Sequence, residues 1–257
     1  MLANYHTHTT RCGHAEGSDR EYVESAVKAG IRTLGFSDHT PYDFMGRKLR
    51  DRPMRMKPEE LPEYAASIRS LAEEFKGQIE ILTGVEAEYY PDYFHRLLEI
   101  LRESHVRYMI LGQHYLGNDI GEPYSGRETE DPSILRRYVS QSLEALQTGL
   151  FTYFAHPDLI NFIGDRTVFE SEIHRLCRGA KETKTPLEIN LLGLSEGRHY
   201  PNETFWRIAA EEGNDVILGF DAHRPEHLQN RAVEEQARKM AKRLGLKLIE
   251  KPVIREL

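Results

Sequence analysis

Short apolar runs alternate along this chain with longer amphipathic segments, and this alternation is the strongest constraint on its fold. The runs are rich in β-branched and aromatic residues and are bounded by glycine or proline, as strands usually are. They predict seven strands, at residues 2–5, 33–36, 79–85, 108–111, 152–155, 186–191 and 215–220. Residues 247–249 are a candidate for an eighth strand. Strands separated by helices favour a mostly parallel sheet that is covered by helices.

The segments between the strands carry helix start signals. Ser18 and Glu21 have the spacing of a capping box, and Pro132 and Pro225 stand where the first turn of a helix tolerates proline. The predicted helices occupy residues 18–30, 57–75, 91–103, 131–148, 170–183, 202–212 and 225–244. Seven βα units fill the chain evenly, without a proline- or serine-rich linker or a charge tract. We therefore expect one domain over residues 1–257.

Composition limits the compartment and the partners. The formal net charge is −7, so the chain gains no general attraction to a phosphate backbone. Long nucleic acid is not expected as a substrate, although a short oligonucleotide stays open. Cys12 and Cys177 are too few for a disulfide framework and indicate a reducing compartment. The chain shows neither a signal-peptide pattern nor a run of about 18 apolar residues, so we expect a cytoplasmic protein without membrane contact.

Histidines and carboxylates follow six of the predicted strands, at the point where each strand ends. They are His6 and His8, Asp38 and His39, Glu86 and Glu88, His114, His156 and Asp158, and Asp221 and His223. In a β/α barrel the carboxyl ends of all strands meet on one face, where active sites lie. We expect these side chains to converge there, and this expectation favours a barrel over an open sheet.

The residue types at the strand ends are those that bind divalent metals. Imidazole and carboxylate groups are ligands of Zn, Mn and Fe. His6 and His8 lie two apart on an extended segment, so their side chains share one face and can reach one ion. Seven of the twelve histidines lie at these positions or, as His14, in the loop after the first strand. That number predicts two or three ions with a bridging carboxylate, a centre that can hold a hydroxide and clamp a transferring phosphoryl group.

Each of these motifs alone has a structural explanation, because a buried histidine usually makes only core hydrogen bonds. A purely structural role is improbable for all of them together, because six strands end in residue types that bind metals. We therefore infer a metal site. Four other histidines are assigned to helix faces or to a helix start, and they are His95, His105, His174 and His227. For His199 both a structural role and a role in the site stay open.

The ordered motifs resemble those of the PHP family, named for polymerase and histidinol phosphatase. The matching motifs are His6-Thr7-His8, His14, Ser37-Asp38-His39, Glu86, His114, His156-Pro157 and Asp221-Ala222-His223. The resemblance extends from Tyr5 to about Pro225 and implies a distorted TIM-like (β/α)7 barrel, the PHP fold. It also implies three divalent ions, held by His6, His8, Glu86 and Asp221, by Glu86, His114 and His156, and by His14, His39 and His223.

Secondary motifs resemble the branch of the family that hydrolyses L-histidinol phosphate in histidine biosynthesis. They are Ser37-Asp38-His39-Thr40-Pro41, Gly84-Val85-Glu86-Ala87-Glu88, Leu111-Gly112-Gln113-His114, Glu188-Ile189-Asn190 and the loop with Arg198. The resemblance implies a small-molecule phosphomonoester as substrate and attack on phosphorus by a hydroxide that bridges two of the ions. Asp221, or a water on the third ion, would protonate the leaving alkoxide. Competing interpretations are a phosphoesterase acting on nucleotides or short oligonucleotides and a non-catalytic, metal-stabilised PHP module.

Substrate contacts are less constrained by the sequence. Arg198 could pair with the phosphate as a planar fork or be a surface arginine, and both interpretations stay open. Asp43 is the candidate for the amine or imidazole of histidinol, with a turn cap as the alternative. Tyr115 and Tyr42 are candidates for an aromatic wall, although Tyr115 could equally pack in the core. Arg127 and Arg166 are reserve phosphate contacts, while metal identity and oligomeric state are not readable from the sequence.

Overall fold

A computed structural model of the chain describes residues 1–42, 54–117 and 123–257. Within these ranges one parallel sheet contains eight strands that pair in chain order. They are β1 (Ala3–Asn4), β2 (Thr33–His39), β3 (Glu80–Ala87), β4 (Tyr108–Leu111), β5 (Phe151–Phe154), β6 (Leu187–Asn190), β7 (Asp215–Gly219) and β8 (Lys247–Leu248). The seven predicted strands are therefore present, together with the candidate eighth.

Backbone hydrogen bonds join the first and seventh strands beyond their ends. His8 N–H donates to the carbonyl of Ala222 at 2.9 Å, and Ala222 N–H donates to the carbonyl of His6 at 3.1 Å. At the other end β8 pairs with the start of β7. The sheet thus curls round into the predicted distorted (β/α)7 barrel, which is confirmed, with β8 as an added strand.

Helices follow the strands and cover the outside of the sheet. The α-helices of the described ranges are α1 (Asp19–Ala29), α2 (Leu61–Glu74), α3 (Phe94–Glu103), α4 (Pro132–Gln147), α5 (Arg166–Glu182), α6 (Leu191–Glu196), α7 (Glu203–Glu212) and α8 (Arg231–Leu244). The Ser18–Glu21 capping box is confirmed at the start of α1. A large apolar core lies between these helices and the sheet.

Capping side chains explain where the helices differ from the prediction. The segment predicted as one helix at 225–244 is a 3-10 helix, Pro225–Gln229, followed by α8, because Asn230 accepts a hydrogen bond from Val233 N and starts a new helix. Asp165 caps α5 and starts it four residues before the predicted position 170. Asn190 caps α6, a short helix that the sequence did not predict.

The barrel interior is filled around Tyr108. Its hydroxyl lies 3.0 Å from the carbonyl oxygens of Tyr5 and Phe36. A Cβ atom at Gly35 would lie 2.1 Å from that hydroxyl, and one at Gly84 would lie 2.3 Å from the ring, so both positions need glycine. The interior below the strand ends is therefore closed by packing.

The C-terminal tail covers the amino ends of the strands. Ile249 and Ile254 pack against the interior cluster, and Leu257 N–H donates to the carbonyl of Arg107, just before β4, at 3.1 Å. The opposite, carboxyl end of the barrel carries the polar strand ends. The expectation of one domain over residues 1–257 stays a prediction. In the described ranges no helix has the length and apolar character to cross a bilayer.

Candidate metal centre

A cleft of about 750 Å³ opens at the carboxyl end of the barrel. Nine side chains predicted as ligands converge there, and we call them the ligand cluster: His6, His8, His14, His39, Glu86, His114, His156, Asp221 and His223. All of them except His6 and His8 line the cleft, and these two lie beneath it with no exposed surface. The structure therefore brings together side chains that span more than two hundred positions of the chain.

Glu86, at the end of β3, lies at the centre of the ligand cluster. The imidazole nitrogens near its Oε2 are those of His39 (3.1 Å), His6 (3.5 Å) and His8 (3.5 Å). The imidazole nitrogens near its Oε1 are those of His156 (2.8 Å) and His114 (3.4 Å). The two oxygens thus face different groups of histidines, an arrangement that suits a carboxylate shared between two ions.

Asp221 holds the other side of the cluster. Its Oδ1 lies 3.0 Å from His8 Nε2 and 3.4 Å from His6 Nε2. His6 and His8 therefore point one nitrogen each into the space between Glu86 and Asp221. Their alternation along the extended segment after β1 produces this shared direction, as the sequence predicted.

His14 and His223 form a separate pair. Nδ1 of His14 lies 3.0 Å from the carbonyl of Cys12, and Nδ1 of His223 lies 2.9 Å from the carbonyl of Asp221. A carbonyl can only accept, so each Nδ1 carries a proton, and in the neutral form of each ring Nε2 has a lone pair. These Nε2 atoms face each other at 2.9 Å. Two lone pairs repel at this distance, so either one ring is protonated and donates to the other, or a cation lies between them.

Unpaired polar atoms are concentrated in the cluster. Among the described residues, the buried atoms without a hydrogen-bond partner include His6 Nε2, both ring nitrogens of His8, His39 Nδ1, both oxygens of Glu86, His156 Nδ1 and Asp221 Oδ1. A buried polar group without a partner costs free energy, about 1–3 kcal/mol each. Their meeting at one place, with nitrogen and oxygen donors mixed, fits divalent ions such as Zn, Mn or Fe.

The charge balance of the cluster favours cations. Burial raises the pKa of Glu86, but His114, His6 and His39 outweigh it and hold that pKa well below the usual range. Burial also raises the pKa of Asp221, and His6 and His223 reverse the shift in the same way. Both carboxylates are therefore ionised at neutral pH. They attract positive charge to the buried base of the cleft.

The backbone is strained at two members of the cluster. His156 has φ of 32° and Asp221 has φ of 50°, in the left-handed region that residues other than glycine rarely adopt. Each residue lies two positions after the end of a strand, β5 or β7, at the carboxyl end of the barrel. Strain of this kind is typical of functional sites.

The family model of the PHP domain matches residues 4–191. The chain belongs to the PHP family. A probable histidinol-phosphatase of Deinococcus radiodurans is 34% identical to it over 233 residues, which cover 87% of each chain. A probable histidinol-phosphatase of Schizosaccharomyces pombe is 27% identical over 88% of this chain and 81% of that protein.

The fold of this PHP protein is similar to a solved histidinol phosphate phosphatase. That structure, from Lactococcus lactis, contains Zn, L-histidinol and phosphate. It superposes with a TM-score of 0.74 at 20% identity and covers 96% of this chain and 95% of its own. The match supports the barrel fold assigned above.

Two glutamates orient ligand-cluster histidines of the PHP protein from behind. Glu188 Oε2 lies 2.9 Å from His6 Nδ1, and Glu88 Oε1 lies 3.0 Å from His114 Nδ1. Each carboxylate holds the proton on Nδ1 and leaves Nε2 for the centre. Arg55 pairs with Glu88 through both guanidinium nitrogens, at 2.9 and 2.5 Å. Glu88 was one of the ligand types noted at the strand ends, and its contacts instead make it an orienting residue.

The other two strand-end aspartates also bind protein groups. Asp38 accepts hydrogen bonds from the Thr9 hydroxyl and from His39 N. Asp158 accepts from Asn202 N at 2.6 Å and from Trp206 Nε1 at 2.8 Å, which ties the end of β5 to the start of α7. Burial raises the pKa of Asp158 to about 6. Spacing could not separate such carboxylates from ligands, because both kinds follow a strand.

Arg198 and Tyr115, two of the predicted substrate contacts, line the cleft, and their contact with substrate stays a prediction. Arg198 donates to the Tyr200 hydroxyl at 2.6 Å and pairs with Glu196 at 2.6 Å. The rim also includes Tyr124 and Tyr200, which sequence reasoning did not identify as substrate contacts.

Tyr42 does not line the cleft. It is buried, its hydroxyl bonds to Glu88, and the Arg55 guanidinium lies 4.5 Å from its ring centroid, so it supports the orienting pair behind His114. Asp43 lies outside the described residues.

The remaining candidates have structural contacts. Arg127 and Arg166 do not line the cleft, and Arg166 pairs with Glu170 on α5. His199 lies with Nε2 2.8 Å from the carbonyl of Leu159, which fixes the loop that carries Arg198. His227, predicted to be structural, accepts from His223 N at 3.3 Å and also borders the cleft.

Proposed function

We propose that this PHP protein is a metal-dependent phosphomonoesterase that hydrolyses L-histidinol phosphate to L-histidinol and phosphate. The observation that carries the proposal is Glu86, whose two buried oxygens face five imidazoles and lack hydrogen-bond partners. Such a centre suits phosphoryl transfer. The substrate is inferred from the relatives, whose names are those of histidinol-phosphatases over most of this chain.

The ligand cluster would hold three divalent ions, and Zn, Mn and Fe all suit its donors. The proposed groups are His6, His8, Glu86 and Asp221 for one ion, Glu86, His114 and His156 for a second, and His14, His39 and His223 for the third. The two faces of Glu86 and the opposed nitrogens of His14 and His223 support this division. When bound, such ions lower the pKa of water and stabilise the negative charge of the phosphoryl group.

The protein's own residues supply positioning and a proton site. Glu188 and Glu88 hold His6 and His114 in the orientation that leaves Nε2 directed at the centre. Asp221 is ionised, and its Oδ1 lacks a hydrogen-bond partner. This oxygen can accept a proton from the attacking water and return it to the leaving alkoxide. Asn190 keeps the carboxylate in place by donating to Oδ2 at 3.1 Å.

Arg198 is the proposed phosphate contact at the rim. Its guanidinium is a planar fork that matches phosphate oxygens, and it can leave its exposed partner Glu196 at little cost. Tyr115, Tyr124 and Tyr200 surround the same part of the cleft and offer ring faces to an imidazole. The contact of Asp43 with the amine or imidazole stays a prediction.

The test compares substrates on protein loaded with Zn or Mn. We expect kcat/KM for L-histidinol phosphate to exceed that for p-nitrophenyl phosphate and for a nucleoside monophosphate by at least about a hundredfold, since the cleft would contact both ends of the substrate. Equal turnover of p-nitrophenyl phosphate would reject the substrate, and preference for the nucleotide would favour the competing phosphoesterase function. Metal analysis provides the second readout, and fewer than two ions per chain would reject the multinuclear centre.

A further inference from the structure

Cys12 is a free thiol with no exposed surface, placed directly beside the ligand cluster. It ends the 3-10 turn Thr10–Cys12 between His8 and His14. Thr9 caps this turn, and Gly13 ends it with φ of 79°, so the local backbone fixes where the thiol lies. Cys12 is the buried residue of this turn.

The sulfur shares a small volume with the opposed histidine pair. Cys12 Sγ lies 4.0 Å from His14 Nε2, the atom that faces His223 Nε2 at 2.9 Å. The ligand atoms of Cys12, His14 and His223 all lie within 4.8 Å of one another. With both rings in the neutral form, the two Nε2 atoms and the sulfur are three electron-pair donors around one point.

His8 gives an independent indication of a cation near the sulfur. It has no exposed surface, and neither of its ring nitrogens has a hydrogen-bond partner among the described residues. A ligand atom of His8 lies within 4.8 Å of those of Cys12 and Asp38. The sulfur therefore lies between the buried imidazole of His8 on one side and the facing Nε2 atoms of His14 and His223 on the other.

We propose that the Cys12 thiolate is a ligand of the ion that His14 and His223 hold, so that this ion has a mixed sulfur and nitrogen donor set. This inference rests on the metal centre of the proposed function. Binding breaks the S–H bond, forms a bond from sulfur to the metal and releases the proton to solvent. A thiolate ligand favours Zn over Mn, so the third position would select its ion more strictly than the two positions around Glu86.

The test uses X-ray absorption at the zinc edge on the full chain loaded with Zn. We expect a sulfur scatterer at about 2.3 Å in the wild-type protein. Cys12→Ser should lose this scatterer, while Cys177→Ala should keep it, because Cys177 is equally buried but lies in α5, outside the cluster. Substitution with Co²⁺ offers a second readout, a thiolate-to-cobalt charge-transfer band in the near ultraviolet that depends on Cys12 alone.

The outcomes separate this inference from the proposed function. Zinc-replete wild-type protein with only nitrogen and oxygen scatterers would overturn the role of Cys12 and leave the metal centre intact. A chain that binds no metal would overturn both. If Cys12→Ser does not fold, wild-type protein and Cys177→Ala still decide the question. A sulfur scatterer in both spectra supports Cys12, because Cys12 is the cysteine that remains in Cys177→Ala. Absence of the scatterer from both spectra rejects Cys12 as a ligand.

Discussion

The carboxylate of Glu188 lies 2.9 Å from Nδ1 of His6, although the two residues are 182 positions apart in the chain. Both side chains have no exposed surface, and Asn190 donates to the same carboxylate at 2.9 Å. Glu188 therefore fixes the tautomer and the ring orientation of His6 without contacting the space between Glu86 and Asp221.

Glu188→Ala should lower metal affinity about 10- to 100-fold, because removal of an orienting partner frees the ligand ring. Glu188→Gln keeps an oxygen that can accept from Nδ1 and should lose less. Competition with a chelator measures both affinities. Unchanged affinity in Glu188→Ala would show that His6 is held by other contacts.

Glu86→Gln should reduce kcat by at least about a hundredfold, since it removes one negative charge and one donor oxygen from the middle of five histidines. The matched control is Glu73→Gln, whose side chain is 78% exposed on α2 and should leave kcat unchanged. Steady-state kinetics and metal content are the measurements. Full turnover in Glu86→Gln would contradict the bridging role.

Gly112→Ala tests whether the position of Glu86 depends on its neighbour. A Cβ at residue 112 would lie 2.0 Å from Glu86 Oε1, and three atoms of that buried side chain would have to shift. We expect a folded protein with a loss of activity comparable to that of Glu86→Gln. Circular dichroism reports the fold and metal analysis reports the centre. Wild-type kcat in this variant would mean that Glu86 tolerates displacement.

Arg198→Ala should raise KM for the phosphomonoester by about 10- to 100-fold, the equivalent of a charged hydrogen bond of about 1.5–3 kcal/mol. Arg198→Lys keeps the charge but not the fork, and should recover only part of the loss. Arg166→Ala is the control, because Arg166 pairs with Glu170 away from the cleft. An equal rise in KM for both alanine variants would argue against a phosphate contact at Arg198.

Asp158 predicts a pH dependence of stability in the metal-free protein. Burial raises its pKa to about 6, whereas an unfolded aspartate ionises near 3.9. Between these two pKa values the folded state binds more protons than the unfolded state. The protonated Asp158 therefore contributes to the free energy of unfolding below about pH 4, and this contribution is lost as the pH rises through 6. Relative to wild type, Asp158→Asn should therefore gain up to about 3 kcal/mol of unfolding free energy between pH 4 and 7. Denaturant titrations at both pH values measure the difference, and a constant difference would refute the raised pKa.

Much of the fold was predictable, because strand and helix periodicity are local properties. The seven predicted strands are present, and capping residues such as Ser18 and Asp131 start helices where expected. The errors came from caps in less regular sequence, at Asn190, Asp165 and Asn230. In these places a side chain decides the helix start by accepting one hydrogen bond, a signal that apolar periodicity does not contain.

The sequence by itself determined which residues could meet. In a parallel barrel every strand end points to the same face, so ligand types that follow successive strands are brought together by topology alone. That reasoning placed eight members of the ligand cluster among the strand-end candidates, and the resemblance to the PHP family singled out the nine, with His14 in the loop after the first strand. It could not distinguish Glu86 from Glu88, because both lie at the end of the same strand and point to the same face.

Only the tertiary structure decided what each of these side chains does. Glu88 faces Arg55, and Glu188 faces His6, and both pairings join segments that are distant in the chain. Whether a buried carboxylate orients a ligand or becomes one depends on which partner occupies its oxygens, and that partner is set by packing across the barrel. Tertiary packing also brings His223 next to Cys12 and His14, which are neighbours in one turn.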